Sequence, residues 1–425
     1  MLDSVRMSVK DLLEHSPRRR SFIKELAAGT AAALAAGTIP EAGRAQTGPP
    51  SARPSGRIVK DGMVYRRLGR TGLHISEISL GGSPLPDERL LFRLIERGIN
   101  YLDTSESYEN GNVERLAGRA LKTFGRDRVM IHARFHLRER STEAGIIASV
   151  EGSLKRLGTD RVEVLGIHGV EDPKDLTDGR VLAAFDKLKA QGKYLFRGVT
   201  CHSGQHLVVP EAVACGLYDM IQIGYNVFDI QETEKDIRTY GDYLGESGIR
   251  RLIDLAAAKD VGVTAMKVLK VGGRRQDLAG RATEGGTLFQ AMLKWALADD
   301  RVAAVVTEIL NESQMDEDLA VVGRPLTAAD RRVLHDHVVA NARGYCHFCG
   351  LCQAACPAGV RTADLSRVLV YAEGYGKADR ARSELLGISE VARACVRSDC
   401  GACERACPYG LPVRERTRRA AALLS

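Results

Sequence analysis

Aromatic residues make up 5% of this 425-residue chain, and Trp295 is its single tryptophan. The net charge of +7 is mild for the length, and part of it sits in Arg414, Arg416, Arg418 and Arg419 near the C-terminus, where a solvated basic face is the simplest account. That balance gives no reason to expect nucleic acid as a partner. Long apolar runs are missing as well. The Ala/Gly-rich stretch from Leu26 to Ile39 is uncharged but falls short of the roughly 20 apolar residues of a spanning helix, so no stable membrane span is expected. Finally, no G-x-G-x-x-G follows the first strand-like run, which weighs against an open doubly wound dinucleotide fold.

Cysteine is abundant and strongly clustered: eight of ten fall in two C-terminal runs. The first, CHFCGLCQAACP from Cys346 to Pro357, has the spacing C-x2-C-x2-C-x3-C-P; the second, CVRSDCGACERACP from Cys395 to Pro408, repeats the C-x2-C-x3-C-P half behind a wider opening. Such runs hold 4Fe-4S clusters, the last cysteine of each run serving the other cluster. The crossed pattern predicts one cluster on Cys346, Cys349, Cys352 and Cys407 and a second on Cys395, Cys400, Cys403 and Cys356. Structural zinc and a disulfide framework are the alternatives; zinc runs usually lack the C-x3-C-P tail. The four-residue gap after Cys395 is the weak point of its assignment. Cys201 and Cys215 lie outside both runs and read as ordinary buried thiols.

The N-terminal segment RRRSFIK from Arg18 to Lys24, followed by that short apolar stretch and by Gly43-Arg44-Ala45 as a small-residue cleavage site, reads as a twin-arginine export signal over residues 1–45. An amphipathic helix that stays attached is the alternative. Export of a folded protein agrees with clusters inserted before translocation, and the expected location is the periplasm or beyond. Residues 46–62, rich in Pro, Gly, Ser and Arg, read as a linker.

From Met63 to about Leu326, short apolar runs alternate with amphipathic segments. Strands are expected near Ile75–Leu80, Tyr101–Thr104, Val129–Phe135, Val162–Ile167, Leu195–Thr200, Met220–Tyr225, Val263–Val268 and Ala303–Thr307. Eight strands with helix-sized gaps, over a span near the ~250 residues typical of that fold, imply a (β/α)8 TIM barrel over residues 63–326. A small helical and loop 4Fe-4S ferredoxin-type domain would occupy 327–425. In such a barrel chemistry belongs at the C-terminal ends of the strands.

The string GINYLDTSESYENGNVE, Gly98 to Glu114, resembles the aldo/keto reductase signature G-x-x-x-x-D-T-A-x-x-Y-G-x-E. The resemblance continues through YRRLGRTGLHISEISLGG (65–82), LGTDRVEVLGIH (157–168), GKYLFRGVTCH (192–202), MIQIGYN (220–226), VGVTAMK (261–267) and LKWAL (293–297). It spans the whole barrel, and with the cysteine tail the chain is similar to an exported, ferredoxin-fused branch of that family.

Reduction of a carbonyl by a hydride donor needs a proton source near the developing alkoxide, and a phenol serves only if a nearby cation lowers its pKa. The resemblance implies Tyr108 as that acid, a cation at position 134 held by Asp103, and His168 to orient the carbonyl. VMIHAR, ending at Arg134, stands where the family has V-x-I-x-T-K, so an arginine replaces the lysine. Arginine keeps the charge and can fork onto Asp103, but it is bulkier and planar. A helix cap is the alternative role for Asp103. Period-two alternation places His132 and His136 on the same face as Arg134, as auxiliary acids or ligands, or else as a core and a loop residue.

Cofactor contacts are fewer. Gln222 matches the family's carboxamide contact, Thr200 with Cys201 and His202 replaces the usual polar pair, and Met266 and Lys267 resemble the Met-Lys of ferredoxin-fused relatives. After the eighth strand, TEILNES (307–313) puts Glu308 and Glu312 where basic phosphate contacts are usual. A carboxylate there would repel a dinucleotide phosphate, so NADP, NAD and a lost site all stay open. The expected protein is an exported iron–sulfur oxidoreductase acting on a small-molecule carbonyl or alcohol, with a redox protein as partner. Its rival is an electron-transfer or scaffold module whose barrel has lost hydride chemistry.

Overall fold

The computed structural model describes residues 56–82, 85–137, 141–202, 204–229, 249–269, 282–283, 286–341, 346, 350–374, 378–386, 400–407 and 409–423. The proposed signal, most of the linker, Cys349 and Cys395 lie outside these residues.

Eight parallel strands close into a barrel: Ile78–Gly81, Tyr101–Ser105, Met130–Phe135, Val162–Ile167, Tyr194–Cys201, Met220–Gly224, Gly262–Met266 and Val302–Thr307, the eighth pairing with both the seventh and the first. Local chemistry sets the helices between them. Asp87 Oδ1 accepts from Leu90 N at 2.8 Å to start helix Glu88–Glu96, Thr142 Oγ1 accepts from Gly145 N at 3.1 Å to start Glu143–Leu157, and Thr287 with Gln290 forms a reciprocal capping box before Leu288–Leu297. Their apolar faces close on the strands in one continuous core.

The first expected strand divides. His74–Ser76 joins an antiparallel sheet with Arg57–Lys60 and Met63–Arg67, whereas Ile78–Gly81 enters the barrel. Glu77, between them, is drawn inward by Arg66, whose Nε lies 2.9 Å from Glu77 Oε2 with both side chains buried. The strand Arg57–Lys60 falls within the segment expected to be linker; Asp61 and Gly62, at φ 51° and 80°, make the tight turn that pairs it with Met63–Arg67. This sheet leads to Leu68 and Ile75, which pack with Tyr101, Val164, Met220 and Ala304 in an apolar cluster separate from the main core.

Helix Ala328–Asn341, grouped with the C-terminal domain on sequence, packs on the barrel helix Leu288–Leu297, where Lys294 Nζ lies 2.6 Å from both oxygens of Asp330. Beyond it the described parts of the two cysteine runs fold alike. Gly350 (φ 82°) and Gly401 (φ 59°) occupy equivalent left-handed positions and open the short helices Leu351–Ala354 and Ala402–Ala406, which pack against each other. Helices Thr362–Leu369 and Val413–Ala422 pair in the same way. No described helix is long and apolar enough to cross a membrane.

Candidate active site and cluster sites

Strand register assembles the barrel site. Asp103 pairs with His132 and Ser105 with Arg134 across the second and third strands, and Arg134 pairs with Gly166, itself opposite Gly198, across the third to fifth. The two glycines leave room for His132, and Gly166 for Arg134 as well. A Cβ at Gly166 would lie 2.6 Å from His132 Nε2 and 3.3 Å from Arg134 Cγ; one at Gly198 would lie 3.1 Å from the same imidazole nitrogen.

Arg134 is 1% exposed and fully engaged. Its Nη2 donates to Asp103 Oδ2 at 2.6 Å and to Tyr108 Oη at 2.7 Å, its Nε to the carbonyl of Thr104 at 3.3 Å, and its Nη1 to Thr200 Oγ1 at 3.4 Å. Burial works against the charged guanidinium, but the Asp103 and Tyr108 oxygens outweigh it and raise its pKa. Burial likewise pushes the Asp103 carboxyl upward, opposed by Arg134 and by Gln222, whose Nε2 donates to Asp103 Oδ2 at 3.2 Å. The Arg134 guanidinium, held at 2.6 Å, favours the ionised form of that carboxylate against the effect of burial. By reciprocity the same positive charge favours the phenolate of Tyr108. Asp103 is thus an ion-pair partner within the second barrel strand, not a helix cap.

Opposite the guanidinium stands His168. Its Nε2 is 3.5 Å from Tyr108 Oη, and its Nδ1 is 2.9 Å from Ser105 Oγ. A serine hydroxyl donating to Nδ1 leaves the proton on Nε2, facing the reaction space. Two imidazoles flank it: His136, with ring centroids 4.1 Å apart, and His202, 5.3 Å away. Glu106 holds His136 by accepting its backbone N–H at 3.1 Å, with His136 Nδ1 3.7 Å from the carboxylate. Burial of Glu106 raises its pKa, but hydrogen bonds from His136 and Ser149 bring it down to about 2. The sequence pattern does not mark Ser105 or Glu106; their only signal is position, two residues after Asp103 and two before Tyr108.

His132 is a core residue. It is fully buried, its Nδ1 lies 3.4 Å from Asp103 Oδ1, and burial together with Arg134 lowers its pKa well below the usual value, so the ring is neutral.

The expected cofactor contacts surround this group. Gln222 is 1% exposed, and its Oε1 is buried without a hydrogen-bond partner among the described residues. That acceptor fits the amide N–H of a nicotinamide carboxamide. Thr200 is 0% exposed and already serves Arg134. Met266 ends the seventh strand, and Lys267 follows at φ 60°, a left-handed conformation rare for lysine. At the eighth strand Glu312 pairs with Arg93, so its charge is partly met.

Six of the expected cluster ligands fall into the two crossed groups. Cys346, Cys352 and Cys407 line one cavity, and Cys356, Cys400 and Cys403 line a second of about 260 Å³. Thiols grouped at this spacing suit a multi-iron cluster. The last cysteine of each run crosses to the other group, as the spacing predicts. Cys201 is buried and Cys215 half-buried, and neither is in a disulfide.

Comparison with known proteins agrees. The pattern of the Aldo/keto reductase family matches residues 87–338, and that of a 4Fe-4S dicluster domain matches 345–411. The chain is 26% identical over 302 residues to "Uncharacterized oxidoreductase YqkF" of Bacillus subtilis, covering 65% of this chain and 96% of that protein. It is 26% identical to a "Probable voltage-gated potassium channel subunit beta" of Oryza sativa, covering 60% and 90%. Among solved structures, the holo form of aldo-keto reductase AKR11C1 from Bacillus halodurans matches at 24% identity with a TM-score of 0.51, covering 64% of this chain and 96% of that one.

Proposed function

The chain belongs to the aldo/keto reductase family and ends in a 4Fe-4S dicluster domain, and from that premise we propose an exported oxidoreductase that interconverts a carbonyl and an alcohol at Tyr108, with electrons relayed by two 4Fe-4S clusters. The observation that carries this reading is the single guanidinium nitrogen, Arg134 Nη2, shared by Asp103 and Tyr108.

A substrate oxygen placed between Tyr108 Oη and His168 Nε2 receives two donors. His168 orients the carbonyl, and Tyr108 transfers its proton as negative charge develops on that oxygen. Arg134 stabilises the phenolate left behind, and Asp103 keeps Arg134 in place. In the oxidative direction Tyr108 takes the proton back. A nicotinamide supplies a hydride when bound, and Gln222, Met266 and Lys267 are the residues that would hold it. Cys346, Cys349, Cys352 and Cys407, and Cys356, Cys395, Cys400 and Cys403, would hold clusters that supply single electrons. The RRRSFIK segment supports export by the twin-arginine route.

A scaffold or pure electron-transfer reading draws on the turn after the eighth strand. There Leu310 N donates to Gln314 Oε1 at 2.7 Å and Gln314 N to Asn311 Oδ1 at 2.9 Å, so these amides already serve the protein's own side chains instead of a phosphate. Anaerobic titration of the cluster-loaded protein with NADPH and NADH, followed by a panel of aldehydes and ketones, separates the two. The enzyme reading expects binding of one nucleotide and carbonyl consumption; absence of both leaves the scaffold.

A further inference from the structure

The two cluster cavities stand differently toward the barrel. The loop after the fourth barrel strand carries His168 and, three residues on, Glu171, whose carboxylate oxygens each lie 3.5 Å from Arg361 Nη2. Arg361 is steadied by Asp364, whose Oδ2 is 2.5 Å from its Nε. The segment that delivers Arg361 is also a wall of one cavity: Pro357, Val360 and Thr362 line it together with Cys356, Cys400 and Cys403, and Val360 N donates to Cys356 Sγ at 3.3 Å. The cavity of Cys346, Cys352 and Cys407 is walled instead by Ala363, Tyr409 and Leu411. Thr362 joins the two, since its Oγ1 lies 3.0 Å from Cys352 Sγ while it lines the other cavity.

We infer that Cys356, Cys400 and Cys403 hold the inner cluster, the one that faces the barrel site, with the loop from His168 to Glu171 as the connection and the Arg361–Glu171 pair as the strap. Cys346, Cys352 and Cys407 then hold the outer cluster, which receives electrons from a one-electron donor protein. The assignment rests on the function proposed above. Reducing a carbonyl to an alcohol takes two electrons and two protons. In the reductive direction the hydride of a bound nicotinamide would bring both electrons with one proton and Tyr108 the other proton; the clusters would each carry one electron between that nicotinamide and the donor protein, the outer one through the inner.

The test uses cluster-loaded protein labelled with 3-fluorotyrosine, the Tyr108 fluorine signal being identified by its loss in Tyr108→Phe. A reduced, paramagnetic cluster broadens a nearby fluorine with a sixth-power dependence on distance. Reduction is expected to broaden the Tyr108 signal in the unaltered protein and in Cys346→Ser, and to leave it sharp in Cys403→Ser. The reverse pattern, or no broadening in the unaltered protein, overturns the assignment. If the cysteine variants load neither cluster, the strap decides: Glu171→Lys should weaken the broadening and Glu171→Lys with Arg361→Glu restore it, whereas a signal indifferent to both variants overturns the inference. No substrate is needed, so a barrel without reductase activity can still show the inner-cluster pattern, and an active barrel with the reverse pattern refutes this inference alone.

Discussion

Arg134 Nη2 lies 2.6 Å from Asp103 Oδ2 and 2.7 Å from Tyr108 Oη, so one nitrogen of a buried guanidinium makes both contacts expected of a cation at this position. The substitution therefore preserves the electrostatics. Its added bulk is met by Gly166, in register across the neighbouring strand.

Arg134→Lys is accordingly expected to stay within about tenfold of the parent turnover, because an ammonium can still reach both oxygens. Arg134→Met removes the cation and should lower turnover by the ~10²–10⁴-fold typical of lost general-acid catalysis. Steady-state rates of the two variants check this, and equal rates for Lys and Met would refute the role given to the charge.

Gly166→Ala tests the space. A methyl group 2.6 Å from a fully buried imidazole forces the ring or the strand to move, and overpacking of this kind costs about 1–3 kcal/mol. Lower thermal stability and reduced kcat are both expected. An alanine variant as stable and active as the parent would show that Arg134 does not depend on the missing side chain.

His132 predicts a pH dependence of stability. Its folded pKa is depressed, so as pH falls below about 6.5 the unfolded chain takes up a proton that the folded one refuses, and stability is lost progressively down to the folded pKa. A single group of this kind contributes a slope of up to about 1.4 kcal/mol per pH unit in that window. His132→Gln should flatten the slope between pH 6.5 and 5, read from unfolding midpoints of cluster-loaded protein. An unchanged slope would mean that His132 is protonated in the fold.

How much of this could be read in the sequence depended on the kind of signal. Parallel strands buried on both faces are continuous apolar runs, so all eight barrel strands were visible, and cysteine spacing gave the crossed ligand groups for the six that are described. The first expected strand is too long because Ile75 and Ile78 are both apolar; the chain changes sheet at Glu77, which the buried pair with Arg66 holds between them. Gly166, Ser105 and Glu106 carry no pattern of their own. Their roles follow from cross-strand register, which a single chain does not display.

Changing Arg19 and Arg20 to lysine tests export. The variant precursor should remain in the cytoplasm, folded and with close to eight irons per chain, as two clusters require. Fractionation with metal analysis measures both, and undiminished secretion would contradict the twin-arginine assignment.

The central claim is that Tyr108 is the acid, and Tyr108→Phe tests it most directly. With cluster content and thermal stability matched to the parent, carbonyl turnover in the phenylalanine variant is predicted to fall by about 10²–10⁴-fold. Turnover equal to the parent's would contradict the claim and leave the barrel as a support for the clusters.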